Sequence, residues 1–374
     1  MRWNGGPYIG LPLAVAIGRN PRVLSGRLYL DHAATTPVLP AAREAMAEAL
    51  GHWANPSSPH ADGRAARAAL ERARTDIADA LGWRHDVILT SGATEAISIA
   101  AARSALPRRV RGATEHDAVV AAMGEGATVL PVDANGLVDL SQVDGPALIA
   151  IQHVNNETGI IQPLGDFNER VTASGSLWLA DCAQGAGKLP LPDADFIAVS
   201  AHKLGGPPGI GALLVKDLAT LSASGGQERG YRRGTENLPA VAGFAAALHS
   251  KAFDRQGDRL GHLRTKLEEA IVSEGGIVIC AGAPRSPFIG AYAMPGTASA
   301  AQLVQLDLAG ISVSAGSACS SGSMKPSHVH HAMGLAPEIS GSTIRVSFGP
   351  DTSDADIDRF LAEWRRIRSR AAAA

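Results

Sequence analysis

The sequence predicts an α/β protein: a large unit built on a mainly parallel sheet, joined to a smaller α+β lobe. Two observations carry this. Helical and strand-like segments alternate through the first two thirds of the chain, the pattern of a sheet with crossover helices. After Leu238 the order changes to strand, strand, helix, loop, strand, helix, which suits a compact α+β lobe. A length of 374 residues is enough for two such units. We place the large unit at 40–250 and the small one at 27–39 and 251–374. Residues 1–26 read as a loosely ordered extension.

In chain order, helical patterning runs through Pro40–Leu50, Asp62–Leu81 and Thr94–Ser104, and as one long helix through Leu238–Val272. Short apolar strands are expected at Val87–Thr90, Arg109–Gly112, Ala147–Ile151, Leu177–Ala180, Phe196–Ser200 and Gly211–Val215. The smaller lobe reads as strands Gly276–Cys280, Ile289–Met294 and Thr343–Phe348, with helices Ala298–Leu308 and Ala355–Arg368. Residues 10–18 are apolar but short and carry Pro12. Only Arg2 precedes them and no cleavage site is clear, so a loose extension fits better than a signal peptide.

Composition narrows function. A net charge of -2 disfavours a nucleic-acid stripe or a polybasic membrane surface. Aromatic content of 4% further weakens a base-stacking reading. No segment reaches the ~20 apolar residues of a membrane helix. Cys182, Cys280 and Cys319 leave at least one thiol unpaired and form no C-x-x-C pair, so no metal site is read. Free thiols fit a reducing, cytoplasmic setting.

Lys203 ends the expected strand Phe196–Ser200 and is followed by a Gly/Pro-rich loop. Ligand sites form at the carboxyl edge of parallel strands. A lysine there loses hydration, so its amine can be neutral and nucleophilic near pH 7, as a Schiff-base lysine must be. The bland alternative is a surface lysine in a turn. Ser91-Gly92-Ala93-Thr94-Glu95 follows a strand and opens a helix, whose free N–H groups suit a phosphate; taken alone, the motif reads first as an ordinary Ser/Thr N-cap. Asp181 ends an apolar strand and suits a protonated pyridine nitrogen, with Gln184 three residues on, or it caps a loop. His116, in Thr114-Glu115-His116, can stack on a planar ligand and move protons. His153-Val154-Asn155-Asn156-Glu157 reads as a turn, with His153 structural. The basic loop Gly225–Thr235 suits an anion or is a solvated charge cluster. Cys319 sits among small residues in Gly316-Ser317-Ala318-Cys319-Ser320-Ser321-Gly322, a setting for thiolate chemistry, whereas Cys182 and Cys280 look like core residues. Arg345 alternates inward on its strand and wants a carboxylate, from the protein or from a substrate.

These segments, together with Tyr29-Leu30-Asp31-His32-Ala33-Ala34-Thr35-Thr36-Pro37, resemble the NifS/IscS-type cysteine desulfurases. Those belong to the class V aminotransferase group of pyridoxal-phosphate enzymes. The resemblance runs to about Ile367 and keeps the family's motif order. It implies the aspartate-aminotransferase-like fold (fold type I) and pyridoxal 5'-phosphate as cofactor. Lys203 would hold the cofactor through its amine, Asp181 would pair the ring nitrogen, Gln184 the ring oxygen, and His116 would stack on the ring. Ala93 would belong to the cofactor site; Thr94, Ser200 and His202 would bind the phosphate, joined by Thr235 from the other subunit of a homodimer. Asn156 and Arg345 would hold the carboxylate of L-cysteine. Cys319 would accept the sulfur as a persulfide, for delivery to an acceptor protein in iron–sulfur cluster assembly or another thiolation pathway. Other readings are a selenocysteine lyase, a related class V aminotransferase-like enzyme, or a non-catalytic cofactor-binding assembly partner. Three features depart from the family: the lead before Arg27, the basic Met324-Lys325-Pro326, and an end without the longer tail through which IscS-type members dock a scaffold.

Overall fold

In a computed structural model, the described residues are 26–372, save 53, 144, 166 and 319–323. A seven-stranded sheet forms the centre. In spatial order its strands are Asp86–Thr90, Gly211–Val215, Phe196–Ser200, Leu177–Asp181, Leu148–Ala150, Arg109–Gly112 and Thr128–Leu130. Only Gly211–Val215 runs against its neighbours; every other adjacent pair is parallel. The expected mainly parallel α/β sheet is present.

Side chains alternate between two cores, as a pleat requires. Ile197, Val199, Leu214 and Trp178 pack on one face with Leu70 and Ile77 of helix Ala61–Ala80 and Phe244 of helix Leu238–His249. Phe196, Ala198, Leu213 and Leu179 pack on the other with Ile97 and Ala100 of helix Ala93–Arg103. Burial on both faces explains why these strands read as unbroken apolar runs.

The second unit has a three-stranded antiparallel sheet, ordered Thr343–Ser347, Ile289–Ala293, Ile277–Val278. Its core takes Leu260, Leu263, Leu267 and Ile271 from helix Gly257–Ser273, and Ile357, Phe360 and Trp364 from helix Asp354–Ala372. Leu28 and Leu30 join this core, where Leu28–Tyr29 pairs with Ile311–Ser312.

The single helix expected over Leu238–Val272 is two helices, Leu238–His249 and Gly257–Ser273. Lys251 takes a left-handed φ of 48° between them. The first helix serves the sheet core and the second the lobe core, and one straight rod cannot face both.

All six co-directional strands of the large sheet point their carboxyl ends at one edge. Five lead directly into motifs singled out above: Thr90 into Ser91–Thr94, Gly112 into Thr114–His116, Ala150 into Gln152–Asn156, Asp181 itself, and Ser200 into His202–Lys203. The topology alone therefore gathers residues more than a hundred positions apart.

Candidate active site

A cavity of about 320 Å³ opens at this edge. Its wall includes Ala93, Thr94, His116, Asn156, Asp181 and Gln184, with Ser200, His202 and Lys203 on the remaining side. Nine sequence candidates thus converge. Two are not part of that lining: Arg345 bonds the Asn156 carbonyl, and Thr235 is exposed. Cys319 lies outside the described residues.

Lys203 follows the buried strand Phe196–Ser200 in one turn of 3₁₀ helix. Its Nζ donates to the carbonyls of Ala33 (2.6 Å) and Ala34 (2.8 Å). Burial, with Arg345 adding to it, lowers the amine from 10.5 to about 8, against the opposing pull of Asp181 and Asp31. The amine is therefore far more often neutral at pH 7 than that of a surface lysine.

Helix Ala93–Arg103 begins at Gly92, and no side chain caps it. The N-cap alternative for Ser91 is thus not what forms. Ala93 and Thr94, the first residues of the helix, line the cavity, and the helix dipole favours an anion at this end. Glu95 instead turns back, its Oε2 accepting from Ser91 N (2.5 Å) and its Oε1 from Arg232 Nε (3.0 Å). Close packing beneath this turn requires glycine at 211, where a Cβ would lie 2.3 Å from the Val199 carbonyl oxygen.

Asp181 forms the loop cap and also lines the cavity. Its Oδ1 caps the next turn by accepting from Ala183 N (2.9 Å), and the carboxyl lines the cavity. Burial raises its pKa, while the Ala183 N–H, His116 and Lys203 pull it down. A cation placed against it would hold it ionised. Gln184 donates Nε2–H to the Ala33 carbonyl (2.8 Å) and leaves Oε1 buried without a partner among the described residues. His116 caps helix Asp117–Met123, its Nδ1 accepting from Ala118 N (3.1 Å), and the exposed ring stands at the cavity rim. His202 bonds Thr35 Oγ1 (3.1 Å); burial, then Lys203 and Lys188, lower its ring to about 4, so it meets a ligand neutral.

An uncapped helix N-terminus, a buried carboxylate and a buried amine suit a phosphate, a ring N–H⁺ and an electrophilic carbon in turn. These residues fit pyridoxal phosphate. Asp181→Asn is expected to weaken cofactor retention and to lower turnover about 10²-fold or more, since the charge that keeps the ring nitrogen protonated is lost. Cofactor absorbance after gel filtration and steady-state rates check it.

In this structure Arg345 takes its carboxylate from the protein. Its Nη2 bonds Asp31 Oδ1 (2.7 Å) and its Nη1 the Asn156 carbonyl (2.9 Å), while Nε stays buried without a partner among the described residues. The basic loop is not a free anion trap. Arg232 is held by Glu95, Arg229 by Asp86, and Arg233 by the Ser224 carbonyl. His153 is a core histidine, lowered to about 4 by burial. Cys182 is fully buried, but Cys280 is only half-buried and sits in a turn at φ 56° rather than on a strand. Sequence reading missed Lys188, a buried lysine whose Nζ lies 4.7 Å from the Phe253 ring centroid and which burial, then Lys203, lower to about 7. It also assigned no role to Asp31 or to the carbonyls of Ala33 and Ala34, although their segment carries a recognisable motif.

The family model described as aminotransferase class-V matches residues 28–360. An IscS-like cysteine desulfurase of Mycobacterium tuberculosis (strain ATCC 25618 / H37Rv) is 38% identical over 372 residues, covering 89% of this chain and 94% of the relative. A cysteine desulfurase of Rattus norvegicus is 33% identical over 362 residues, covering 88% and 80%. Among solved structures, a NifS-like protein from Rickettsia africae ESF-5 superposes with a TM-score of 0.83 at 29% identity, covering 92% of this chain and 99% of that one.

Proposed function

Because the chain belongs to the aminotransferase class-V family, we propose that it is a cysteine desulfurase that uses pyridoxal phosphate, with Cys319 as sulfur acceptor. One observation carries the reading: a single cavity is walled by the lowered Lys203 amine, the strand-end Asp181 and an uncapped helix N-terminus.

The bound cofactor would supply an electron sink for the Cα proton of the substrate. This chain's residues do the rest. Ala93, Thr94, Ser200 and His202 hold the phosphate end, Asp181 and Gln184 the ring edge, and His116 covers the ring face. Lys203 anchors the cofactor; once displaced by the substrate amine, its own amine takes and returns the Cα proton. Asn156 and Arg345 orient the substrate carboxylate, which reaches Arg345 in competition with Asp31. The Cys319 thiolate attacks the substrate sulfur. The Cβ–S bond breaks and an S–S bond forms. The transferred sulfur is oxidised to persulfide level while Cβ is reduced and protonated to the methyl of alanine. Electrons balance without an outside oxidant.

Thr235, exposed on the surface, joins the phosphate site from a second copy in a homodimer. The persulfide passes to an acceptor protein in a reducing cytoplasm, where Cys319 stays a thiol. Among the described residues no helix is long and apolar enough to cross a membrane.

Mass spectrometry of the protein after exposure to L-cysteine tests this. Wild type is expected to gain one sulfur on Cys319 and release alanine stoichiometrically. Cys319→Ala is expected to retain cofactor binding and the absorbance change on adding cysteine, with no persulfide and at least about 10³-fold less alanine. Full alanine and sulfide production by Cys319→Ala would falsify the assignment.

A further inference from the structure

We infer that Glu157, Ser327 and His328 are positioning residues: a two-point clasp that fixes the root of the Cys319-bearing hairpin to the walls of the substrate cavity. The inference rests on the desulfurase reading above and goes beyond it.

The hairpin begins and ends at one place. Ser317–Ala318 pairs antiparallel with Met324–Lys325, in the register Ser317↔Lys325 and Ala318↔Met324. Ser327 follows the returning strand by two residues. It is buried, and its Oγ donates to Glu157 Oε2 at 2.6 Å. The same Oγ accepts from His330 N (3.1 Å), which ties it to the start of the next short helix. The outgoing root meets the same carboxylate: a Cβ on Gly316 would lie 3.4 Å from Glu157 Oε2 and 3.4 Å from Ser327 Cβ. Glu157, itself buried, thus bonds the returning root and lies beside the outgoing one.

Glu157 is rigid because its turn is rigid. Asn155 Oδ1 accepts from Glu157 N (3.0 Å), Thr158 N (2.9 Å) and Thr158 Oγ1 (3.0 Å). Asn156, in the middle of this turn, lines the cavity, and Arg345 holds its carbonyl. The second point is His328, whose Nε2 bonds the Glu115 carbonyl at 2.8 Å, immediately before His116. Asn155 Nδ2 joins the two walls through the Thr114 carbonyl (3.2 Å). The segment 327–328 therefore grips the turn that holds Asn156 and the turn that holds His116.

A hydrogen bond to a buried carboxylate is short and strong, and its loss leaves that charge unpaired. Attack by one sulfur on another demands close alignment, and a displacement of about 1 Å costs roughly 10²-fold. None of the three residues contacts Lys203 among the bonds described. The clasp should thus weigh far more on sulfur transfer than on substrate capture.

The test compares holoenzyme of wild type, Ser327→Ala, Ser327→Thr and His328→Ala in single turnover with L-cysteine. It follows the cofactor absorbance change and, by mass spectrometry, persulfide on Cys319. Ser327→Ala is expected to slow persulfide formation about 10- to 100-fold with the absorbance change slowed far less, and Ser327→Thr to restore most of the loss. His328→Ala should slow the same step. Wild-type persulfide rates in both alanine variants overturn the clasp and leave the desulfurase reading standing. Equal slowing of the absorbance change also overturns it, as a general loss of structure. Absence of persulfide in wild type overturns the desulfurase reading and the clasp with it.

Discussion

Lys203→Ala is expected to abolish turnover of L-cysteine, with a loss of about 10⁴-fold or more, because in the proposed mechanism one side chain both anchors the cofactor and moves the Cα proton. Borohydride should no longer fix the cofactor to the protein. Lys203→Arg should not rescue, since a guanidinium stays charged and cannot serve as a nucleophile. Stability should move the other way. The unfolded chain keeps the lysine proton up to about pH 10.4, whereas the folded chain releases it near 8. Below pH 8 both states carry the proton, and the folded state bears a buried ammonium at a cost on the order of 3 kcal/mol. Above about pH 10.4 both are neutral and the cost is gone. The carbonyls of Ala33 and Ala34 lose their donor in a Lys203→Met variant, which offsets about 1 kcal/mol each. Cofactor-free Lys203→Met should therefore match or exceed wild type at pH 7 in denaturant unfolding, and fall behind as pH rises from 8 towards 10.4. A constant difference across that window would show that Lys203 is not a desolvated amine.

The elements that carry the site were legible because each is an apolar strand ending abruptly in polar or glycine residues. Phe196–Ser200 followed by Ala-His-Lys, and Leu177–Asp181 followed by Cys-Ala-Gln, announce both the strand and the place where a ligand would meet it. Strand order was not legible. Nothing in Gly211–Val215 itself tells that it lies between Asp86–Thr90 and Phe196–Ser200; its antiparallel direction follows from a link to Ser200 too short to hold a crossover helix. Partners far apart in sequence were equally hidden. Asp31 meets Arg345 across 314 positions, and the resting acceptors of Lys203 are backbone carbonyls, which leave no mark in sequence. Composition left Gly225–Thr235 open between an anion site and a charge cluster. A run of arginines among glycines suggests anion binding, but Glu95, Asp86 and the Ser224 carbonyl take those guanidiniums.

That loop supplies the second large effect. Glu228→Ala is expected to destabilise the protein by about 3–5 kcal/mol, as removal of one member of a buried ion pair does. The Glu228 side chain is fully buried, and its carboxylate accepts from Arg74 Nη1 (2.5 Å) and Nη2 (3.0 Å) and from Leu89 N (2.7 Å). Arg74 reaches it from helix Ala61–Ala80, and Leu89 belongs to the edge strand of the large sheet. Deleting the carboxylate leaves the Leu89 N–H unpaired in the interior and leaves the Arg74 guanidinium only Glu71 and the Val87 carbonyl. It also frees a strained segment: Glu228 and Arg229 hold φ of 49° and 56°, a left-handed conformation that non-glycine residues keep only under restraint. Relaxation there should pull Arg232 from Glu95, at the opening turn of the phosphate-facing helix. Cofactor affinity should then fall along with stability. Arg74→Met alone should be as damaging, because it leaves the carboxylate unpaired. The double variant Arg74→Met/Glu228→Ala should cost less than the sum of the two by about 2 kcal/mol or more, since neither charge is then left alone. Strict additivity in a denaturant-unfolding cycle would mean that Glu228 and Arg74 stabilise the fold independently, and that the ion pair does not fix the loop.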